Sequence, residues 1–213
     1  DLDLANDLDV GVLLHHGVEA GVAVTKRLQH RPVELEDPAL ALEAVVAWAG
    51  RFADHAAAAG LAEMAARCRR VPREPARSFA DAMQSVWFVH AAVGLSELSQ
   101  SSLSLGRLDQ YALPQFLADG PERSRPYLDA LFAKLNRYGD AACAVNLGGA
   151  DAEGADEFND LSRLIVDVAQ ARRAPSPILA ARIHDGLAGA DFDRLTDPGL
   201  LRISQPTFYG EEP

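Results

Sequence analysis

The stretch "SQSSLSLGRLDQY", residues 99–111, marks a change in the sequence from helical to strand-like patterning. In "SSLSL", Ser102 and Ser104 fall on one side of a predicted strand, and Ser101 and Leu103 fall on the other. A strand with hydroxyl groups on one face lines a polar cavity or forms a sheet edge facing water. The Gly-Arg that follows leads directly into a predicted helix.

Arg107 and Asp109 lie two residues apart at this junction, so at a strand end they would face the same way. One interpretation is structural, either an ion pair or an aspartate at a helix N-terminus. The other is a functional pair of charges. Residue chemistry alone favours the structural interpretation.

Downstream of residue 95 the pattern alternates between strands and helices. "CAVNL" and "PILAARIH" are short apolar runs typical of buried strands. This alternation predicts an α/β fold with parallel strands joined by right-handed crossovers. The predicted helices cover approximately residues 108–118, 124–138 and 156–172.

The first 95 residues are predicted to be helical. An apolar helical pattern covers 10–29, and an alanine-rich run over 38–70 is broken near Gly60. Ser78 is a predicted N-cap, with Asp81 completing an approximate capping box. The helix that follows, 79–95, is apolar on nearly all sides and must be buried. We therefore expect 1–213 to form a single domain, with a helical layer (1–95) and a strand-helix part (96–213).

The charge balance excludes several classes of partner. With 20 basic and 31 acidic residues, the net charge is −11, which argues against nucleic acid and anionic membranes. No apolar run is long enough to span a bilayer, and the start has no signal-peptide pattern. Cys68 and Cys143 do not form a disulfide framework, so a reduced, cytoplasmic setting is expected, with a single disulfide as the alternative.

Other polar residues leave their roles open. Arg182 and His184 share a face of a predicted strand, where they line a cavity or mark a strand end that reaches solvent. His15 and Glu19 have helical i,i+4 spacing, but further ligands are missing, so no metal site is predicted. "NLGGADAEG" lacks both GxGxxG and a P-loop lysine, and no cofactor site is expected.

Several segments together resemble the glycyl radical enzymes of the pyruvate formate-lyase family. The Val-Pro-x-x-Pro-x-x-Ser-Phe segment and "GRLDQY" occur in the family order. "NLGGADAEGADEFNDLSRLIVD", "PSPILAARIHD" and "ISQPTFYGEEP" extend the match. The resemblance implies a helical N-terminal part followed by a partial barrel, one half of a ten-stranded α/β barrel. It also implies that the polar residues before "GRLDQ" reach a substrate pocket.

The resemblance assigns roles to individual residues. Ser102 matches a pocket residue, whereas Ser101 replaces a histidine that many members carry. With Ser104, Arg182 and His184 they are the candidate pocket residues for a small polar molecule. Arg107 and Asp109 are expected to be structural, anchoring the turn beneath the pocket.

No catalytic residue is identified, because the family's catalytic cysteine and radical glycine have no counterpart in this sequence. One hypothesis is a fragment or subunit of a radical lyase or dehydratase. A second is a pared-down, radical-free relative, and a third is a binding or structural protein. Because the predicted strands form only part of a closed barrel, a homodimer or a complementing chain is expected to complete it. The alternative is that a helix from the alanine-rich run 38–70 folds back and seals the half-barrel.

Overall fold

A computed structural model describes residues 38–96, 104–137 and 143–210. The chain separates into two compact units, Asp1–Leu98 and Ser99–Pro213, which are described in turn. The helix predicted over 10–29 lies outside the described residues. The expectation of a single domain stays a prediction.

The first unit is helical, as the sequence predicts. Its helices are α1 (Pro38–Ala58), α2 (Ala62–Arg70) and α3 (Phe79–Ser96). The predicted break at Gly60 is confirmed, because Gly60 adopts a left-handed φ of +77° that ends the first helix. The predicted cap is also confirmed, since Ser78 Oγ accepts a hydrogen bond from the Asp81 amide at 3.2 Å.

Alanines allow these helices to approach closely. Ala49, Ala53, Cys68 and Phe88 form a buried cluster, against which Trp48 packs edge-on to Phe88 with ring centroids 5.7 Å apart.

Both Cys68 and Cys143 are buried free thiols, so the alternative of a disulfide between them is not realised.

Asp81 is the buried polar centre of the first unit. Its carboxylate is 1% exposed and accepts hydrogen bonds from Arg70 at 2.6 and 3.1 Å and from the Arg77 amide at 3.1 Å. These charge-assisted bonds compensate the cost of removing the carboxylate from water. The Asp81 hydrogen bonds thereby link α2 to the start of α3.

The second unit combines helices with a small parallel sheet. Its helices and strands, in chain order, are α4 (Leu108–Tyr111), α5 (Leu113–Asp119), α6 (Pro121–Arg137), β1 (Ala144–Gly148), α7 (Asp160–Arg172), β2 (Ile178–Ile183), α8 (Gly189–Leu195), α9 (Pro198–Leu201) and β3 (Thr207–Gly210). The strand order is β1-β2-β3, and both pairs are parallel, which confirms the predicted α/β pattern. In addition, Ser104 forms a parallel bridge with Ala144 on the other side of β1.

The boundaries differ from the sequence prediction in three places. The helix predicted from about residue 156 begins at Asp160, because Asn159 caps it and accepts hydrogen bonds from two helix amides. The helix predicted over 108–118 is interrupted at Ala112. β3 and the short helices α8 and α9 were not predicted, because four to seven residues carry too little periodicity.

Candidate functional site

The Gly-Arg-Leu-Asp-Gln segment joins the edge of the sheet to α4. Before the turn, the Leu105 amide donates to Ala144 O at 2.7 Å, and the Asn146 amide donates to Gly106 O at 2.9 Å. Gly106 has a φ of +65°, a conformation that glycine adopts without a steric penalty. The chain can therefore leave the sheet abruptly and begin a helix at Leu108.

Arg107 reaches from this turn to the far end of β1. Its guanidinium donates to Gly148 O at 2.8 Å and forms an ion pair with Glu157. Gln110 Nε2 donates to Glu157 O at 2.8 Å. Two side chains of the segment therefore hold the residue at which β1 ends and the loop that follows it.

Asp109 completes the same junction from inside. It is fully buried, and its Oδ2 accepts hydrogen bonds from the Gly148 amide and from Ser162 Oγ, both at 2.7 Å. Its backbone carbonyl accepts from Asn159 Nδ2 at 3.0 Å. Asp109 thus joins α4, the end of β1 and the first turn of α7.

The electrostatics of Asp109 are those of a buried acid. Burial raises the pKa of Asp109 above its ordinary value, and the hydrogen bonds from Gly148 and Ser162 oppose that shift. Its second oxygen, Oδ1, has no hydrogen-bond partner in the described part of the chain. Arg107 and Asp109 therefore do not form a simple ion pair with each other. Arg107 binds Gly148 O and Glu157, whereas Asp109 binds the Gly148 amide and Ser162 Oγ.

In β1 and β2 the sheet has one buried apolar face and one face that carries polar side chains, whereas β3 is exposed on both faces. Residues paired across parallel strands share a face, and successive residues alternate. On one side, Val145, Leu147, Leu179 and Ala181 are at most 1% exposed. The other side, here called the polar face, carries the side chains of Asn146, Arg182, Thr207 and Tyr209.

The register aligns the polar face in two rows. Arg182 lies between Gly148 and Tyr209, so the glycine leaves its β1 side without a side chain. One step back, Asn146 and Thr207 flank Ala180 in the same way. Ala180 thus separates Asn146 from Thr207, whereas Arg182 and Tyr209 are direct neighbours, and the face offers an arginine, a phenol, a hydroxyl and an amide.

The candidate pocket residues are only partly brought together. Ser101 and Ser102 lie outside the described residues. Ser104 is exposed, and its Oγ accepts a hydrogen bond from the Gly106 amide at 3.0 Å. Through Ala144, Ser104 is level with Ile178, four residues before Arg182 on β2. At about 3.3 Å per residue, this places Ser104 roughly 13 Å from the level of Arg182 along the strand direction.

The other two candidates lie together at the carboxyl end of β2. Arg182 is half-buried on the polar face. His184 follows the strand, and its Nε2 lies 3.2 Å from Asp156 Oδ1. The assignment of these residues to a pocket stays a prediction.

Three residues of the polar face were not predicted from the sequence: Asn146, Thr207 and Tyr209. Tyr209 is 55% exposed on β3. The signal was available in "TFYG", where alternation between Pro206 and Gly210 puts Thr and Tyr on one side. Within the described residues, no group of three or more His, Cys, Asp or Glu side chains is arranged to hold a metal ion. Nor does this part of the chain contain a helix long and apolar enough to cross a membrane.

Known proteins share both sequence and fold with this chain. Residues 39–212 match the family described as "Pyruvate formate lyase-like". The isethionate sulfite-lyase of Bilophila wadsworthia is 30% identical over 182 residues, covering 70% of this chain and 22% of that protein. The trans-4-hydroxy-L-proline dehydratase of Clostridioides difficile is 25% identical over 245 residues, covering 100% of this chain and 29% of that protein.

Solved structures show the same fold. The glycerol-bound B12-independent glycerol dehydratase of Clostridium butyricum superimposes with a TM-score of 0.80 at 23% identity, over 95% of this chain and 31% of that chain. A glycyl radical enzyme from Archaeoglobus fulgidus gives a TM-score of 0.76 at 26% identity, over 88% and 30%.

The chain thus spans about a fifth to a third of the length of these relatives. Its helical N-terminal part is followed by a part of their α/β barrel, which confirms the fold expected from the resemblance. The chain belongs to the pyruvate formate-lyase-like family of glycyl radical enzymes.

Proposed function

We propose that this chain forms part of the barrel wall of a glycyl radical lyase or dehydratase, and that its polar face contacts a small polar substrate. The observation that carries this proposal is the asymmetry of the parallel sheet. In β1 and β2 one face is buried and apolar, and the other presents Asn146 and Arg182, with Thr207 and Tyr209 of the exposed strand β3 on the same side. In parallel α/β sheets, ligands bind beyond the carboxyl ends of the strands, which is where Arg182 and Tyr209 lie.

The chemistry of these groups fits small hydroxylated or anionic molecules. An arginine guanidinium donates to carboxylate or sulfonate oxygens, and tyrosine, threonine and asparagine side chains pair with hydroxyl groups. The relatives are named for isethionate, trans-4-hydroxy-L-proline and glycerol, which are molecules of this kind. The role we assign to the polar face is to bind and orient the substrate; no bond-breaking step is assigned to it.

A titration followed by ¹⁵N NMR tests this proposal. Isethionate, trans-4-hydroxy-L-proline and glycerol are added separately to the protein. At least one is expected to shift the amide resonances of Asn146, Arg182, Thr207 and Tyr209 in a saturable way. The paired change Thr207→Val with Tyr209→Phe is expected to weaken that binding, whereas Tyr127→Phe on α6 is the matched control.

The proposal fails if none of the three compounds shifts these resonances. It also fails if the shifts occur instead at residues of the buried face, for example Val145 and Leu179, or if the control weakens binding as much as the paired change.

We also propose that another strand completes the sheet beside β3, in a homodimer or from a complementing chain. Within the described residues, β3 pairs only with β2, and all four of its residues are exposed. Unpaired strand edges favour pairing with further strands. Light scattering is expected to give a mass above that of a monomer at micromolar concentration or on addition of the complementing chain. A monomer mass at all concentrations and with all added chains contradicts this proposal.

A further inference from the structure

His184 connects two loops that follow neighbouring strands. Its imidazole is 8% exposed and lies between the loop after β1 and the turn after β2. Nε2 is 3.2 Å from Asp156 Oδ1, and Nδ1 accepts a hydrogen bond from the Gly186 amide at 3.1 Å. Both ring nitrogens therefore have partners within the protein.

These partners define the tautomer of His184. A backbone N–H can only donate, so Nδ1 must present its lone pair to Gly186. In the neutral ring the proton then sits on Nε2, from which it is donated to Asp156. The same Asp156 oxygen also accepts from the Phe158 amide at 2.9 Å, which fixes the orientation of the carboxylate.

Gly186 is fitted to the ring. A Cβ at this position would lie 2.8 Å from His184 Cε1 and 3.0 Å from Nδ1, closer than real Cβ atoms approach. Its φ is not in the left-handed region, so glycine is needed here for space rather than for backbone conformation. A side chain at 186 must therefore displace the imidazole.

The loop that His184 holds is compact in itself. Ala150 and Asp156 form an antiparallel bridge across it, and Asp151 Oδ1 accepts hydrogen bonds from the amides of Glu153 and Ala155 at 3.0 and 2.8 Å. Because residues 150–156 are tied together internally, an anchor at Asp156 acts on the whole loop, in addition to the contacts of Arg107 and Gln110 with Glu157.

We propose that His184 is a positioning residue, held as the neutral Nε2–H tautomer, that anchors loop 150–156 at the carboxyl edge of β1 and β2. Its lone pair and its proton are both used within the protein, and the role assigned to it is to hold the loop. That the anchored loop borders a substrate rests on the proposed function. The tautomer and the anchoring do not depend on it.

The tautomer is read directly from the imidazole ¹⁵N resonances of the protein at neutral pH, assigned by comparison with His184→Ala. We expect Nδ1 to be unprotonated and Nε2 to carry the proton. An Nδ1–H tautomer or an imidazolium at neutral pH overturns the proposal.

Amide hydrogen exchange measures the anchoring. His184→Ala is expected to raise the exchange rate at Gly186 about tenfold, the effect of losing its hydrogen bond to Nδ1, and to raise the rate at Phe158 because its acceptor, Asp156, loses its contact with the ring. Gly186→Ala is expected to do the same at Phe158 by displacing the ring. Asp156→Asn keeps the accepting oxygen and is expected to change the rate at Phe158 less than twofold, as is Asp185→Ala, an exposed control.

A double-mutant cycle separates anchoring from general destabilisation. In the His184→Ala background, Gly186→Ala is expected to cause no further increase in the amide exchange rate at Phe158, because no ring remains to be displaced. The proposal is overturned if the effects of His184→Ala and Gly186→Ala on the exchange rate at Phe158 are additive. It is also overturned if Asp156→Asn and Asp156→Ala change that rate equally. None of these measurements uses a substrate. If the tautomer and the double-mutant cycle are as expected but no compound binds in the ligand titration, only the proposed function is contradicted.

Discussion

Replacing Asp109 tests the junction that explains the Gly-Arg-Leu-Asp-Gln segment. Asp109→Ala removes the acceptor for the Gly148 amide and for Ser162 Oγ and leaves both donors buried. Each hydrogen bond to a charged group contributes about 1.5–3 kcal/mol, and the relief of carboxylate burial offsets part of the loss. We expect the free energy of unfolding to fall by about 2–4 kcal/mol.

Asp109→Asn is the informative comparison. Its amide oxygen can still accept from Gly148 and Ser162, so we expect a loss of only about 1 kcal/mol near neutral pH. Asp193→Ala removes an exposed carboxylate from the same unit, and its effect is expected to stay within about 0.5 kcal/mol. Urea unfolding followed by far-UV circular dichroism measures all three, and exchange of the Gly148 amide localises the effect.

The pH dependence of this comparison has a defined sign. The pKa of Asp109 is raised in the folded state, so the acid binds its proton more tightly there than in the unfolded chain. Its contribution to stability is complete below the unfolded pKa, near 3.8, and is lost as the pH rises through the folded-state pKa. The stability advantage of the wild type over Asp109→Asn must therefore shrink with rising pH. A stability advantage of the wild type over Asp109→Asn that grows with rising pH contradicts this prediction. So does a loss of unfolding free energy in Asp109→Ala that is no larger than in Asp193→Ala.

Three further predictions concern the same unit. Gly148→Ala is expected to destabilise by about 2–3 kcal/mol in thermal melts, because its φ is +64° and a Cβ would lie 3.0 Å from an aromatic side chain. The comparison variant, Gly60→Ala in the first unit, has a positive φ but open space and is expected to cost about 1 kcal/mol. Asn159→Ala removes the N-cap of α7 and is expected to cost about 1 kcal/mol in urea unfolding. The pKa of Asp191 is lowered by its hydrogen bond from Arg163, so its contribution is present above the unfolded pKa and is lost as the pH falls; Asp191→Asn is expected to flatten the acid limb of a plot of unfolding midpoint against pH.

The sequence allowed the fold class to be predicted because the decisive signals are local. The apolar runs at β1 and β2, the break at Gly60 and the cap at Ser78 are each encoded within a few residues. β3 was missed because four residues between a proline and a glycine do not form a distinct periodic segment.

The contacts of Arg107 and Asp109 could not be predicted, because their partners lie 39 to 53 residues away along the chain. Spacing within the segment suggested only that the two charges face the same way. Similarly, the alternation of Arg182 and His184 did not reveal that His184 faces Asp156 and Gly186. Such partners depend on which loops the strand order brings together, and neither periodicity nor short motifs indicate that order.

Thiol labelling of single-cysteine variants measures whether one face of the parallel sheet is open to a small polar ligand, as we propose. Native Cys68 and Cys143 are buried and give a low background. Cysteines at Asn146 and Thr207 are predicted to react rapidly and to be protected by the compound that binds, whereas cysteines at Val145 and Leu179 are predicted to react only on unfolding. The proposal of an open polar face is contradicted if cysteines on the two faces are labelled at equal rates. It is also contradicted if no tested compound slows labelling at Asn146 and Thr207.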